Sequence, residues 1–295
     1  MRIQACPGYL RGLRYLTPNP YPLSPIPYPL SPKRIRMDTS NEPAILQAHG
    51  INKWFGPVHA LQDVNFAVYP GEVVALIGDN GAGKSTFINV LTGVLPPDSG
   101  EIVFMGEQVR FGSPHEARAR GIETVYQDLA VAPHLDAVAN IFLGRERKLP
   151  GILGTLGFLD QRRMRRETEE QLANLHVRLK GLNQRLTTLS GGQRQGVAVA
   201  RSVMWASKIV IMDEPTAALG VAQTGMVLDL IRRVRDNGIP VVFISHNMPH
   251  VFEVADRIVV LRLGQVVAEL DPKRATIDDA VGAMTGALRA TTEVA

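Results

Sequence analysis

An α/β fold organised around a parallel sheet is what this 295-residue sequence predicts, on three observations. Residues 73–77, 209–212 and 241–244 are short and continuously apolar, the pattern of strands buried on both faces. The first of these runs into a glycine-rich loop, residues 78–86, and then into a helical stretch. The third follows the second by about one helix, residues 221–237. Strand–helix–strand alternation packs such strands in parallel, with their C-terminal ends opening at one crevice.

Composition narrows the choice. Apolar residues make up 45% and charged residues 20% of the chain, enough to bury one large core or two smaller ones. No apolar run approaches the roughly 18–20 residues of a membrane-spanning helix. The only cysteine is Cys6, which excludes a disulfide scaffold.

The formal charge of +4 divides unevenly. Residues 1–36 hold six basic residues and no acidic one, and the other 259 carry 26 basic against 28 acidic. That remainder has no bulk electrostatic reason to bind nucleic acid. Residues 1–36 also hold eight of the 20 prolines and two copies of Pro-Tyr-Pro-Leu-Ser-Pro, at 20–25 and 27–32. Proline lacks the amide donor and fixes φ, so this segment is expected to be a disordered, partly polyproline-like extension. Met37, followed by Asp-Thr-Ser-Asn-Glu, looks like an ordinary protein start, so the extension is expected to be a translated leader, the other reading being a docking tail for an aromatic-grooved domain.

The loop after the first strand reads Gly78-Asp79-Asn80-Gly81-Ala82-Gly83-Lys84-Ser85-Thr86. Glycines at 78, 81 and 83 let successive backbone N–H groups turn toward phosphate oxygens, at the positive end of the following helix. Lys84 would place a cation on the β- and γ-phosphates, and Ser85 a hydroxyl on Mg²⁺. The second strand ends in Asp213-Glu214-Pro215. A strand-end carboxylate can hold Mg²⁺ and its neighbour can polarise an attacking water. The third strand ends at His246, which the parallel arrangement brings to the same crevice.

A second small-residue loop opens a helix at Leu189-Ser190-Gly191-Gly192-Gln193, about 105 residues beyond the first loop. With these motifs together, the sequence resembles the nucleotide-binding subunit of ABC transporters over about residues 44–285. The resemblance implies a P-loop NTPase (RecA-like) core with an antiparallel β subdomain and an inserted α-helical subdomain. It implies a domain over 37–295, with the helical subdomain at about 129–188. ATP and Mg²⁺ are the implied ligands. Phe55 matches the aromatic that stacks on adenine, with neighbouring Trp54 as the alternative. Gln127 matches the glutamine that touches the metal site and moves with the membrane partner. Asp213 matches the metal-holding acid, Glu214 the catalytic base and His246 the histidine at the γ-phosphate. Ser190, Gly191, Gly192 and Gln193 match the signature loop that closes over ATP held by a second subunit.

Ala217-Ala-Leu-Gly220 departs from the general pattern, which has aspartate where Gly220 stands. That departure, with Ser245-His-Asn-Met-Pro-His250 and the Gly78-Asp-Asn-Gly-Ala-Gly form, resembles importers of ribose, xylose, fructose and similar monosaccharides. The implied partners are membrane permease subunits, a sugar-binding protein outside the membrane and a second copy of the chain. The implied location is the cytoplasmic face of the membrane, with no nucleic acid bound. The alternative is a soluble ATPase of the same family acting on nucleic acid or ribosomes. Members that act on DNA carry a long coiled coil between the two loops, and no sustained heptad occurs here. Translation-type members carry two such domains per chain, and this chain has one. Arg162 to Leu182 reads as helix, preceded by loops at Gly151, Gly154 and Gly157.

Overall fold

The computed structural model describes residues 43–126, 131–206, 208–217 and 219–287. The 1–36 extension and Gln127 lie outside the described residues. All described residues fall in one unit, Arg34–Ala295.

The chain opens with a hairpin of β1 (Leu46–Phe55) and β2 (Val58–Val68), then enters β3 (Val73–Ile77) and α1 (Lys84–Leu91). Next come β4 (Ser99–Phe104), β5 (Glu107–Val109), α2 (Pro114–Ala119) and β6 (Ile122–Val125). A helical insertion follows: α3 (Ala137–Phe142), α4 (Ile152–Thr155) and α5 (Gln161–Asn174), leading to α6 (Gly191–Trp205). The chain then runs through β7 (Ile209–Asp213), α7 (Val221–Asp236), β8 (Val241–Ile244) and α8 (Met248–Val254). It closes with β9 (Arg257–Arg262), β10 (Gln265–Leu270) and α9 (Ile277–Thr285).

Two sheets result. One is antiparallel, in the order β2-β1-β4-β5. The other has the order β10-β9-β3-β8-β7-β6, parallel throughout except for β10. The three strands expected from the sequence are β3, β7 and β8, adjacent in this sheet.

Strand periodicity sends alternate side chains to opposite faces. Val73, Ala75 and Ile77 of β3 join the core built with α3, α5, α6, α7 and α8. Val74 and Leu76 join a second core with α1 and the antiparallel sheet. The same alternation in β7 puts Ile209 and Ile211 on the α1 face. Asp213, two residues further along, therefore points to the face where α1 begins.

The helix expected over 162–182 is shorter. α5 starts at the cap of Asp160, whose carboxylate accepts from the Arg163 amide, and it stops at Asn174. His176 adopts φ +54°, and the Val177 amide returns 2.8 Å to the Leu172 carbonyl. This left-handed stop lets Val177 pack on Gly196 of α6, where a Cβ would approach Val177 Cγ1 to 2.8 Å. Packing against α6 thus ends a helix that propensity alone would have extended.

Candidate functional site

The 78–86 loop connects β3 to α1 at the C-terminal edge of the parallel sheet. A Cβ on Gly78 would lie 2.2 Å from the Leu261 carbonyl oxygen, so glycine is required by the neighbouring strand β9. Gly81 has φ +82° with open space around it, and Gly83 has φ +105°. The loop is tied to the β9–β10 turn, because the Gly264 amide donates to the Ala82 carbonyl at 2.9 Å.

Lys84 opens α1 and folds back under the loop. Its Nζ donates to the carbonyls of Gly78 at 2.7 Å and Asp79 at 3.0 Å. Burial holds its pKa below the ordinary lysine value, opposed by the carboxylates of Glu214, Asp213 and Asp79. Phe87 is the first helical residue whose amide finds a carbonyl, that of Gly83. Among the described residues, the amides of Lys84, Ser85 and Thr86 have no such partner. These orphan donors at a helix N-terminus, beside a lysine, suit a phosphate chain.

Asp213 and Glu214 face them. Burial and the neighbouring Glu214 charge push the Asp213 carboxyl above its ordinary range, and Lys84 pulls it down. A divalent cation at Asp213 and the Ser85 hydroxyl would offset that cost, so the donor set fits Mg²⁺. Glu214 has φ +47°, an uncommon conformation for a residue with a side chain, and its amide donates to Ile244 at 3.0 Å. His246 Nδ1 lies 2.8 Å from Glu214 Oε1. The histidine is 65% exposed and the glutamate 18%. Strand pairing of β7 with β8 brings the two residues together although 32 positions separate them.

Asn80, Gly81, Gly83, Lys84, Ser85, Thr86, Asp213 and Glu214 line one cleft of about 490 Å³, and His246 is not a lining residue but meets it through Glu214. Its far wall is Val58, His59, Ala60, Gln62, Leu263 and Gly264. None of that wall was evident from the sequence, because it comes from the start of β2 and from the β9–β10 turn. Phe55 is not a lining residue, but it ends β1 opposite Val58, which is. Asp98 holds that strand end, accepting from the Trp54 amide at 2.7 Å and from Lys53 Nζ at 3.0 Å. Those bonds, the amide first, keep the Asp98 carboxyl below its ordinary range. Trp54 stacks on His59 at 4.1 Å, while Phe55 is left half-exposed.

Ser190, Gly191, Gly192 and Gln193 lie outside this cleft. Ser190 caps α6: its hydroxyl accepts from the Gln193 amide, and the Gln193 side chain accepts from the Ser190 amide. Gln193 Nε2 also donates to the Arg178 carbonyl. Gly192 packs on α7, where a Cβ would be 3.0 Å from Gln223 Cβ. Gln223 in turn accepts from the Gly220 amide at 3.3 Å, so one side chain joins the signature helix to the loop that departs from the family pattern. Its role has no motif in the sequence.

A second groove of about 460 Å³ runs beside Tyr126, the residue before Gln127. It is lined by Arg118, Glu123, Arg145, Arg201 and Trp205. Glu123 accepts from Arg145 at 2.6 Å, and Arg145 lies over the Trp205 ring at 5.0 Å.

An amide cradle facing two carboxylates at the edge of a parallel sheet is the arrangement of a phosphate-loop nucleoside triphosphatase. Within that class the chain belongs to the ABC transporter family, whose model matches residues 61–217. The fructose import ATP-binding protein FrcA of Rhizobium meliloti is 53% identical over 84% of this chain and 96% of its own length. The xylose/arabinose import ATP-binding protein XylG of Sulfolobus acidocaldarius is 44% identical over 82% and 94%. A ribose import ATP-binding protein of Burkholderia thailandensis is 39% identical over 82% of this chain, which spans 47% of that longer protein. Among solved structures, an ATP-binding cassette of an ABC transporter superposes with a TM-score of 0.70 at 27% identity, covering 81% of this chain and 98% of that one. A dimeric cassette in a post-hydrolysis state, bound to ADP and Pi, superposes with a TM-score of 0.65 at 26% identity, covering 78% and 100%.

Proposed function

We propose that this chain is the ATP-hydrolysing subunit of a monosaccharide importer, working as a head-to-tail dimer on the cytoplasmic face of the membrane. The observation that carries the reading is the split of the motifs. Lys84, Ser85, Asp213 and Glu214 share one cleft, and Ser190 is outside it. A second copy would supply its signature loop to the open side and exclude water there. The sugar class rests on likeness to the fructose, xylose/arabinose and ribose import proteins.

Each residue has a defined task in that reading. Lys84 exchanges the Gly78 and Asp79 carbonyls for phosphate oxygens, and the free amides of Lys84, Ser85 and Thr86 complete the cradle. Ser85 and Asp213, with Gln127, would hold Mg²⁺, which supplies charge neutralisation on the phosphates. Glu214 accepts the proton of the attacking water. His246 orients that carboxylate, and its exposure leaves the imidazole free to turn toward the γ-phosphate. Phe55 supplies an aromatic face for the base. The groove of Arg118, Arg145, Arg201 and Trp205 beside the glutamine loop suits a docking segment of the permease. Specificity for the sugar resides in the permease and the sugar-binding protein, which are other chains.

Mixing two inactive variants tests the shared site. Lys84→Ala and Ser190→Arg chains together form one composite site with an intact phosphate loop and an intact signature loop. Nucleotide trapping should return on mixing. A protein that stays monomeric with ATP and Mg²⁺, with turnover independent of concentration, would sink the dimer. ATPase stimulation by a permease and its sugar-loaded binding protein tests the import reading.

A further inference from the structure

The described residues hold a feature that neither the ATP cleft nor the second groove uses. Between α3 and α5 the chain makes a protruding hairpin. The Asp160 amide donates to Arg147, the Leu149 amide donates to Phe158, and Lys148 bridges Leu159. At its end α4 turns on Gly151, φ +72°, and on Gly154, whose Cβ would fall 1.9 Å from the Leu149 carbonyl oxygen. The backbone is thus built to hold this shape. What it displays is apolar: Ile152 is 79% exposed, Leu156 68%, Phe158 56% and Leu153 50%. From Leu149 to Leu159 there is no charged residue. Exposed apolar side chains clustered on a defined tip mark a contact surface.

Charge selects the occupant. Residues 145–166 carry seven basic side chains against two acidic ones. Several are matched within the fold: Arg147 and Arg163 to Glu167, Arg165 to Glu169, Arg166 to Glu170, and Arg145 to Glu123. Lys148 and Arg162 are exposed at the hairpin base and have no ion pair among the described residues. Glu146, exposed beside them, is drawn electrostatically to Lys148, and the segment still carries an excess of basic side chains. An uncharged apolar tip above a base with a basic excess is complementary to an anionic bilayer surface. The tip would enter the acyl boundary while the cations meet headgroup phosphates. We infer that the 147–160 hairpin is a membrane-surface contact for anionic lipid, separate from the nucleotide cleft.

Flotation of the full chain with vesicles tests this. Vesicles of phosphatidylcholine with phosphatidylglycerol should carry the protein up the gradient, and pure phosphatidylcholine vesicles should carry much less. Ile152→Ser with Leu156→Ser should lower the partition coefficient by about tenfold or more. Lys148→Glu with Arg162→Glu should lower it as well, and salt should weaken what remains. The basic 1–36 segment is common to all these chains, so the difference between them reports on the hairpin. ATP affinity and melting temperature should match the parent in the serine variant, since these side chains touch neither core nor cleft. Lipid binding unchanged by both pairs of substitutions would overturn the inference. So would a parent chain that stays unbound in every vesicle while the serine variant loses a co-expressed permease, which would make the tip a protein contact.

Discussion

Two glycines of the phosphate loop are there for different reasons, and substitution by alanine separates them. A Cβ on Gly78 meets the Leu261 carbonyl oxygen at 2.2 Å, about 1 Å short of normal contact. The obstacle is backbone of β9, which pairs with β3 immediately before the loop, Ile77 opposite Val260. Relief requires β3 and β9 to separate where both are fully buried. Overpacking costs about 1–3 kcal/mol, and the positive φ of 156° adds about 1–2 kcal/mol, about 2–5 kcal/mol together. Gly81 also has a positive φ, but nothing lies within 4 Å of its Cβ position. Only the left-handed backbone penalty applies, about 1–2 kcal/mol. At about 2–4 °C per kcal/mol for a domain of this size, Gly78→Ala should lower Tm by about 10 °C and Gly81→Ala by about 3–5 °C. Thermal melts of nucleotide-free protein read this directly, with near-ultraviolet circular dichroism as a check on packing. A Gly78→Ala protein that melts within about 2 °C of the parent, or a Gly81→Ala change that is the more damaging, would refute a clash with β9.

Glu214→Gln should keep ATP affinity and lose about 10²-fold or more of the hydrolysis rate, measured by phosphate release, because the amide cannot accept the proton. It should also accumulate as an ATP-bound dimer in size-exclusion chromatography. Asp213→Asn should raise the Tm of the nucleotide-free protein at neutral pH while abolishing Mg²⁺-dependent turnover. Burial and Glu214 raise the folded carboxyl above its unfolded value of 3.8, so ionised Asp213 costs stability, a cost that sets in as pH rises through 3.8 and is complete above the folded pKa. The gain in Tm should vanish below that unfolded value. A chain beginning at Met37 should match the full chain in Tm and ATPase rate, and a loss of either would show that the extension contributes to the fold.

The site was legible wherever a local pattern carried the chemistry. Glycine spacing and the strand before it located the cradle of Lys84, Ser85 and Thr86. Apolar strand runs located Asp213, Glu214 and His246 at strand ends, because a parallel sheet puts those ends on one edge. The proposal that Ser190 serves another copy's site came from the motifs only through the resemblance they carry. Apart from that resemblance, these readings needed only periodicity and chain order.

What required tertiary structure is what depends on residues distant in the chain. The wall of the cleft comes from the start of β2 at 58–62 and the turn at 263–264, whose sequences carry no phosphate-binding signal. Gln223 joins Gly192 to Gly220 only because α6 and α7 pack side by side. The end of α5 is set by Val177 filling the space over Gly196, against a helical propensity that continues past it. The apolar hairpin reads as a glycine-broken loop until its backbone bonds show which side chains are left in water. Backbone geometry repeats over a few residues and leaves its period in the sequence. Contacts between elements depend on how whole strands and helices pack, and leave no such period.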